Sequence, residues 1–143
     1  FSSLIEQKTG VIVPIVGSFP FSQKSPERFI ENLGNKLIDL GGEKILPQWL
    51  PVHGWYFGGH SKIETFNSPE FVQAIIKKEM NICLDISHLI MSANFYSKPW
   101  YEWYSNLLPY TKHIHLSDAA GIDGEGLKFG EGDLKKSQLK ILK

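Results

Sequence analysis

Polar side chains that could do chemistry lie at the ends of two apolar runs. The run "NICLDISHLI" carries Asp85 and, three residues later, His88, and the run "HIHLSDA" carries His115 and, three residues later, Asp118. Buried carboxylates are rare unless they are paired, hydrogen-bonded or bound to a metal. Each run therefore predicts a polar site at a strand end. The alternatives are a helix cap for Asp85 and, for Asp118, a turn or the support of a ligating histidine.

Strand-like and helix-like segments alternate along the chain and would position these side chains. The apolar segments "VIVPIV" and "KILPQWL" each lead to a Ser-Pro-Glu motif, in which Ser25 and Ser68 are predicted helix N-caps. The segments "ICLDI" and "HIHLS" are predicted strands, and the aromatic-rich "NFYSKPWYEWYSNLLPY" between them is predicted to be helical. The alternation predicts a parallel sheet, either open or closed into a barrel, with its polar strand ends at one edge. A dinucleotide-binding unit is disfavoured because no GxGxxG motif follows the first strand.

Composition indicates a single globular unit and disfavours several classes of partner. The chain has 143 residues, of which 42% are hydrophobic and 13% aromatic. Its 15 basic and 15 acidic residues give zero formal net charge, so no global field attracts nucleic acid or an anionic membrane. The single cysteine, Cys83, lies in an apolar run and is most simply a core residue in a reducing compartment. With neither a membrane-spanning run nor a signal-peptide pattern, a cytoplasmic location is expected.

Three motifs in order, "CLDISH", "HIHLSDA" and "GEGLKFGEGDL", carry a family resemblance. Together they resemble the later half of a xylose isomerase-like barrel, the superfamily of sugar isomerases, sugar-phosphate epimerases and endonuclease IV. The resemblance implies an α/β fold, a partial (β/α)8 TIM barrel formed by one domain over residues 1–143. Because a full barrel needs on the order of 250 residues, its other strands would come from further chain segments or from an oligomer.

The resemblance also implies a set of site residues. A divalent metal (Mn, Zn, Mg or Co) would be bound by Asp85 and His115 together with two glutamates from other strands. His88 would contact the substrate in catalysis in an isomerase, or bind a further zinc in a nuclease. Gln48 occupies the catalytic position of the first glutamate, where an amide offers neither a negative charge nor a general base. The last glutamate has no counterpart within these residues.

Other residues have weaker predicted roles. In the Gly-rich segment "VHGWYFGGH", Trp55 and Phe57 could flank a sugar or pack in the core, and two histidines there are speculative substitutes for missing ligands. His113 is expected to face the helices and to be structural. In "GIDGEG", Glu125 follows Asp123 where nucleases of the superfamily carry D-x-H, and a plain acidic loop is the favoured interpretation.

Three functions therefore compete. The first is a metal-dependent sugar or sugar-phosphate isomerase or epimerase, favoured by the neutral charge and the acidic strand ends. The second is an endonuclease IV-like DNA repair enzyme, disfavoured by zero net charge and by Glu125 in place of a histidine. The third is a non-catalytic ligand-binding relative of these barrels, favoured by Gln48. The expected partner is a small-molecule sugar or sugar phosphate, with nucleic acid unlikely and no membrane.

Overall fold

The fold mixes α-helices with short parallel and antiparallel strands. The computed structural model describes residues 11–15, 25–39, 45–56, 58–135 and 137–142. The strands are β1 (Val11–Val13), β2 (Ile45–Pro47), β3 (His53–Tyr56), β4 (Gly59–Lys62), β5 (Ile82–Asp85), β6 (Thr111–His115), β7 (Asp118–Ala120) and β8 (Gly124–Leu127). The α-helices are α1 (Pro26–Asp39), α2 (Pro69–Lys78), α3 (Ile86–Phe95) and α4 (Trp100–Leu107), and 3₁₀ helices cover Leu108–Tyr110 and Gln138–Leu142.

The parallel strands lie in the order β1, β2, β5, β6. β1 pairs with β2 and β5 pairs with β6, both in parallel. Gln48, the residue after β2, forms a parallel bridge to Cys83 in β5, and the Trp49 amide donates to the Cys83 carbonyl at 2.9 Å. The predicted parallel β-α arrangement is thereby confirmed, and the carboxyl ends of these strands lie at one edge. The described residues form no closed barrel.

Two antiparallel hairpins follow strands of the parallel set. β3 pairs with β4 in the segment that follows β2, and β7 pairs with β8 in the segment that follows β6. Both segments were expected to be loops, and that expectation was wrong. Their strands are only three or four residues long, and three of the four contain glycine, so they lack the alternation of polar and apolar residues that marks a strand in a sequence.

Two helices begin at the predicted caps. The Ser68 hydroxyl accepts from the Phe71 amide at 3.4 Å, and Pro69 is the first residue of α2. The Ser25 hydroxyl likewise accepts from the Arg28 amide at 3.4 Å before α1. These serines satisfy amide groups that have no partner within the first helical turn. The two glycines expected to stop α1, at positions 41 and 42, lie outside the described residues.

The aromatic-rich segment contains the end of α3, the whole of α4 and the 3₁₀ helix that follows it. Its first residues complete α3, Ser97 takes a left-handed conformation with a φ of 53°, and α4 begins after Pro99. Proline lacks the amide hydrogen that an α-helix interior needs and disfavours helical geometry in the residue before it. The prediction that this segment is helical is confirmed for most of its residues, and Pro99 separates its two helical parts.

The core joins buried residues of β5 to those of α2, α3 and α4. Every residue of α3 from Ile86 to Ala93 is buried, so this helix is enclosed by its neighbours. Trp49 is fully buried and packs edge to face against Trp103, with ring centroids 5.8 Å apart. Both tryptophans are core residues, and the core role predicted for Cys83 is confirmed.

In the part of the chain that the structure describes, no helix has the length and apolar character needed to cross a membrane.

Candidate functional site

Three polar side chains meet where β2, β5 and β6 end. Asp85 and His115 are the last residues of β5 and β6 and are direct register partners. Asp85 Oδ2 lies 3.3 Å from His115 Nδ1. Gln48 Nε2 donates to Asp85 Oδ2 at 3.0 Å and lies 3.2 Å from His115 Nδ1. The predicted convergence of these residues at one edge of the sheet is confirmed.

The Gln48 amide group bridges its two neighbours. One hydrogen of its nitrogen goes to Asp85 Oδ2, and the same nitrogen lies within hydrogen-bonding distance of His115 Nδ1. Gln48 thus stabilises the carboxylate and the imidazole together without a net charge, and it provides no base for proton transfer.

The two oxygens of Asp85 have different partners. Oδ1 accepts from the Ser87 hydroxyl at 2.7 Å and from the His88 amide at 3.3 Å, which makes Asp85 the N-cap of α3. The cap alternative is therefore confirmed. It does not exclude a role in the site, because Oδ2 faces Gln48 and His115. The residue is only 6% exposed, so any ligand of Oδ2 would be largely shielded from water.

His88 is a buried donor on both sides of its ring. Nδ1 lies 3.0 Å from the Trp49 carbonyl, and Nε2 lies 2.9 Å from Glu125 Oε1. Because both partners are acceptors, both ring nitrogens carry hydrogens. Burial alone would lower the pKa of His88, but the Glu125 hydrogen bond, the Asp85 charge and the Trp49 carbonyl together raise it. An imidazolium has no free lone pair, so this arrangement does not fit a further zinc ligand.

Glu125 is a site residue that the sequence interpretation missed. It lies in β8, not in a plain loop as expected, and its carboxylate pairs with a histidine 37 positions earlier. The hydrogen bond from His88 lowers the pKa of Glu125 against the opposing effect of burial. Its side chain is 55% exposed, so it covers the solvent side of His88. The only sequence signal was its place in the D-x-E pattern, which by itself is weak.

Residues two positions apart on these strands share a face, so the prediction that His113 faces the helices was wrong. Its ring contacts that of His115, with centroids 5.3 Å apart, so it does not face the helices on the opposite side. Cys83 is likewise two positions before Asp85. Burial and the Asp85 charge raise the pKa of Cys83 to about 11, which keeps it a neutral thiol.

Asp118 holds a loop together. Its carboxylate accepts from four backbone amides, those of Ala119, Gly130, Gly132 and Leu134, at 2.8 to 3.0 Å. Gly132 packs so closely that an added Cβ would lie 2.7 Å from Asp118 Oδ1. Asp118 is the first residue of β7 and does not open a turn, so the turn interpretation was wrong. The predicted support of a ligating histidine was also wrong, because the hydrogen bonds of Asp118 within the described chain all go to backbone amides.

The β3–β4 hairpin contains the predicted sugar-flanking residues. Trp55 lies in β3 opposite His60, and Phe57 lies outside the described residues, so contact of these two with a substrate stays a prediction. The rings of His53 and His60 are stacked with centroids 5.1 Å apart, and His53 also packs against Phe95 of α3. These contacts attach the hairpin to the helix that begins at Asp85.

The site offers two atoms suited to a shared metal ion. Metal–ligand distances of about 2.0 to 2.2 Å place adjacent ligands roughly 3 to 3.4 Å apart, and Asp85 Oδ2 and His115 Nδ1 are 3.3 Å apart. Rotation of the Gln48 amide would present a third ligand, its oxygen. Among the described residues, no three His, Cys, Asp or Glu side chains are grouped to hold a metal ion. The residues thus fit an incomplete divalent site.

Comparison of the chain with protein-family models, with curated proteins and with solved structures found no match.

Proposed function

We propose that this chain is a metal-dependent sugar or sugar-phosphate isomerase or epimerase-like protein. The observation that carries the proposal is the meeting of Asp85, His115 and Gln48 at the carboxyl ends of parallel strands. Ligands of parallel α/β folds bind at that edge, where polar side chains from separate strands converge. The motifs that resemble the xylose isomerase-like superfamily supply the reaction class, and β1, β2, β5 and β6 would be part of its barrel.

Each site residue has a role in this proposal. Asp85 and His115 would bind one divalent ion, Mn, Zn, Mg or Co, and Gln48 would add a third ligand through its amide oxygen. A bound divalent ion polarises a substrate carbonyl oxygen. His88 would contact the substrate through Nε2, with a substrate oxygen in place of Glu125, because Nδ1 is held by the Trp49 carbonyl. Trp55 and Phe57 would flank the sugar.

A second candidate function is ligand binding without catalysis, and Gln48 favours it. A proton transfer next to a carbonyl needs a base within hydrogen-bonding reach. The side-chain amide of Gln48 is no base. The neighbouring Asp85 carboxylate already accepts hydrogen bonds from Gln48 and from the first residues of α3. In this alternative the same strand ends bind a sugar but do not convert it.

Metal titration of the full-length polypeptide tests the proposal. We expect Mn and Zn to bind the wild type, and His115→Ala to weaken binding at least tenfold because an open coordination position remains. Gln48→Glu should tighten binding because it places a negative charge beside the cation. His113→Ala is the matched control: this neighbouring histidine on the same strand contacts the His115 ring but is exposed.

The outcomes separate the two candidates. Metal binding that responds to His115→Ala and Gln48→Glu but not to His113→Ala supports the isomerase or epimerase. Sugar binding that does not depend on metal supports the non-catalytic alternative. Identical metal affinities in all variants, or no binding in any of them, would remove the metal-dependent chemistry.

A further inference from the structure

A second cavity lies between the first residues of α1 and the first residues of α2. Its volume is about 390 Å³, which is large enough for a small organic molecule. The segment that follows β4 and Tyr96, the residue after α3, form its other walls. Gln48, Asp85 and His115 are not among the described residues that line it. This cavity, called the α1–α2 cavity below, is therefore separate from the site at the strand ends.

Asn67 brings an unpaired hydrogen-bond acceptor to the α1–α2 cavity. The residue is only 1% exposed, and its Nδ2 donates to the carbonyls of Pro51 and Ile63 at 3.0 and 2.9 Å. Both amide hydrogens are thus used, whereas Oδ1 accepts no hydrogen bond from the described residues. A buried acceptor without a donor is unfavourable. Because Asn67 lines the cavity, a ligand there can supply the missing donor.

The turn that presents Asn67 is fixed by the core. The preceding residue, Phe66, is fully buried and has a φ of 53°, a left-handed conformation that is rare for an aromatic residue. The Leu50 amide donates to the Phe66 carbonyl at 3.0 Å. The Asn67 amide group is therefore held in one orientation before any ligand binds.

The lining of the cavity has more carboxylates than cations. Glu64 and Glu70 both line it, and Lys62 is the cation among the described lining residues. The Lys62 ammonium lies 3.6 Å from Glu64 Oε1, too far for a good hydrogen bond, and its side chain is 58% exposed. Within the described chain, the Glu70 carboxylate forms no ion pair. One negative charge in the cavity wall is thus left without a balancing cation.

Tyr96 adds an aromatic wall close to both carboxylates. Burial and the charges of Glu70 and Glu64 raise the pKa of Tyr96, so its hydroxyl group stays neutral. Its ring packs against Phe95 and Trp103, with centroids 5.0 and 6.1 Å away. An aromatic face beside negative charges is a favourable environment for an organic cation.

The two helix N-termini at the cavity do not make it an anion site. The Ser25 and Ser68 hydroxyls already accept from the amides of Arg28 and Phe71, and Glu70 places a carboxylate in the first turn of α2. These groups complement the positive ends of the helix dipoles from within the chain. An anion in the cavity would meet the carboxylates and a further acceptor.

We propose that the α1–α2 cavity binds a small primary alkylamine in its ammonium form. The three N–H donors of the ammonium group bond to Asn67 Oδ1 and to the carboxylates of Glu64 and Glu70. The short alkyl chain lies against the Tyr96 ring. The inference is independent of the proposed function at the strand ends, because the two sites share no lining residue.

Titration of the full-length protein with n-butylammonium, followed by NMR, tests the proposal. The side-chain amide signal of Asn67 should shift and saturate, whereas that of Asn94, which is bonded to Gly121 and Asp133, should not move. The neutral analogue n-butanol should leave the Asn67 signal unchanged. Glu70→Gln should weaken n-butylammonium binding roughly threefold to fivefold, the range expected for an exposed carboxylate.

Glu102→Gln is the matched control, because Glu102 is an exposed first-turn carboxylate of α4 that lies outside the described cavity lining. It should not change the affinity. No shift of the Asn67 signal, an equal response to n-butanol, or equal losses in Glu70→Gln and Glu102→Gln would overturn the proposal. A response to inorganic phosphate in place of n-butylammonium would overturn it as well.

A capped lysine, Nα-acetyl-lysine amide, distinguishes a free amine from the lysine side chain of a partner protein. Both present the same ammonium group, but the capped lysine carries two amide groups that the cavity has to accommodate. We expect n-butylammonium to bind more tightly. Tighter binding of the capped lysine would overturn the assignment of a small free amine.

Discussion

Asp85 and Asp118 are both buried carboxylates at strand termini, yet their partners differ in kind. Asp118 is fully buried and accepts from four backbone amides that all belong to residues 119–134. Asp85 accepts from one backbone amide and from the side chains of Ser87 and Gln48, and His115 lies close to it. Backbone amides cannot leave a carboxylate without unfolding the loop, whereas side chains can rotate. Asp118 therefore holds structure, whereas Oδ2 of Asp85 is available to a ligand.

Loss of the Asp118 charge should have the largest effect on stability. In Asp118→Asn, an amide group would face backbone amides that need acceptors, so several hydrogen bonds to a charged group would be lost. We expect the free energy of unfolding to fall by about 3 kcal/mol or more, measured by urea denaturation. Asp123→Asn, in the exposed turn nearby, should change it by less than about 0.5 kcal/mol. Equal effects of the two substitutions would contradict the structural role of Asp118.

The contribution of Asp118 should also depend on pH. Burial alone would raise the pKa of Asp118, but the four backbone amides lower it below its ordinary value of 3.8. Its stabilising effect is therefore fully present above the unfolded pKa and is lost as pH falls through the lowered folded value. The difference in unfolding free energy between wild type and Asp118→Asn should shrink as the pH is lowered from neutral to about 2. A difference that does not vary with pH would refute this origin.

Replacement of Asp85 should cost less stability but should abolish divalent binding. Asp85→Ala removes the N-cap of α3 and should lower the free energy of unfolding by about 1–2 kcal/mol. Asp85→Asn retains an oxygen for the cap and should cost less than Asp85→Ala, while both variants lose the negative metal ligand. Urea denaturation and metal titration on the same samples measure both quantities. If Asp85→Asn destabilises as strongly as Asp118→Asn, the distinction between the two aspartates fails.

Neutralising Glu125 should have the smallest effect on stability. Its pairing with His88 is open to solvent on one side, because the Glu125 side chain is 55% exposed. Glu125→Gln should therefore lower the free energy of unfolding by less than about 1 kcal/mol in urea. A loss larger than that of Asp85→Ala would show that Glu125 mainly holds the hairpin to α3.

The elements that could be predicted are those with local signals. The Ser68–Pro69 start of α2 and the apolar strand before Asp85 each depend on a few adjacent residues. The face of His113 was also within reach of the sequence, since a strand alternates its side chains with a period of two. It was misassigned because His113 and His115 were placed on opposite faces of the strand, whereas residues two positions apart lie on the same face.

The contacts that could not be predicted join residues far apart in the chain. The pairing of His88 with Glu125 spans 37 positions, and so does that of Gln48 with Asp85. The β7–β8 hairpin that places Glu125 has short strands without a clear alternation of polar and apolar residues. Its position depends on the Asp118 hydrogen bonds to a later loop, which no local rule indicates.

The sequence by itself determined that Asp85 and His115 end parallel strands, because strand propensity, helix caps and alternation with helices are local properties of the chain. Only the tertiary structure decided which atoms meet. It turned Asp85 Oδ1 toward α3 and Oδ2 toward Gln48 and His115. It also placed both nitrogens of His88 against acceptors from two other segments. Hydrogen bonds require matching positions to within tenths of an ångström, and those positions follow from strand order and packing across the whole molecule.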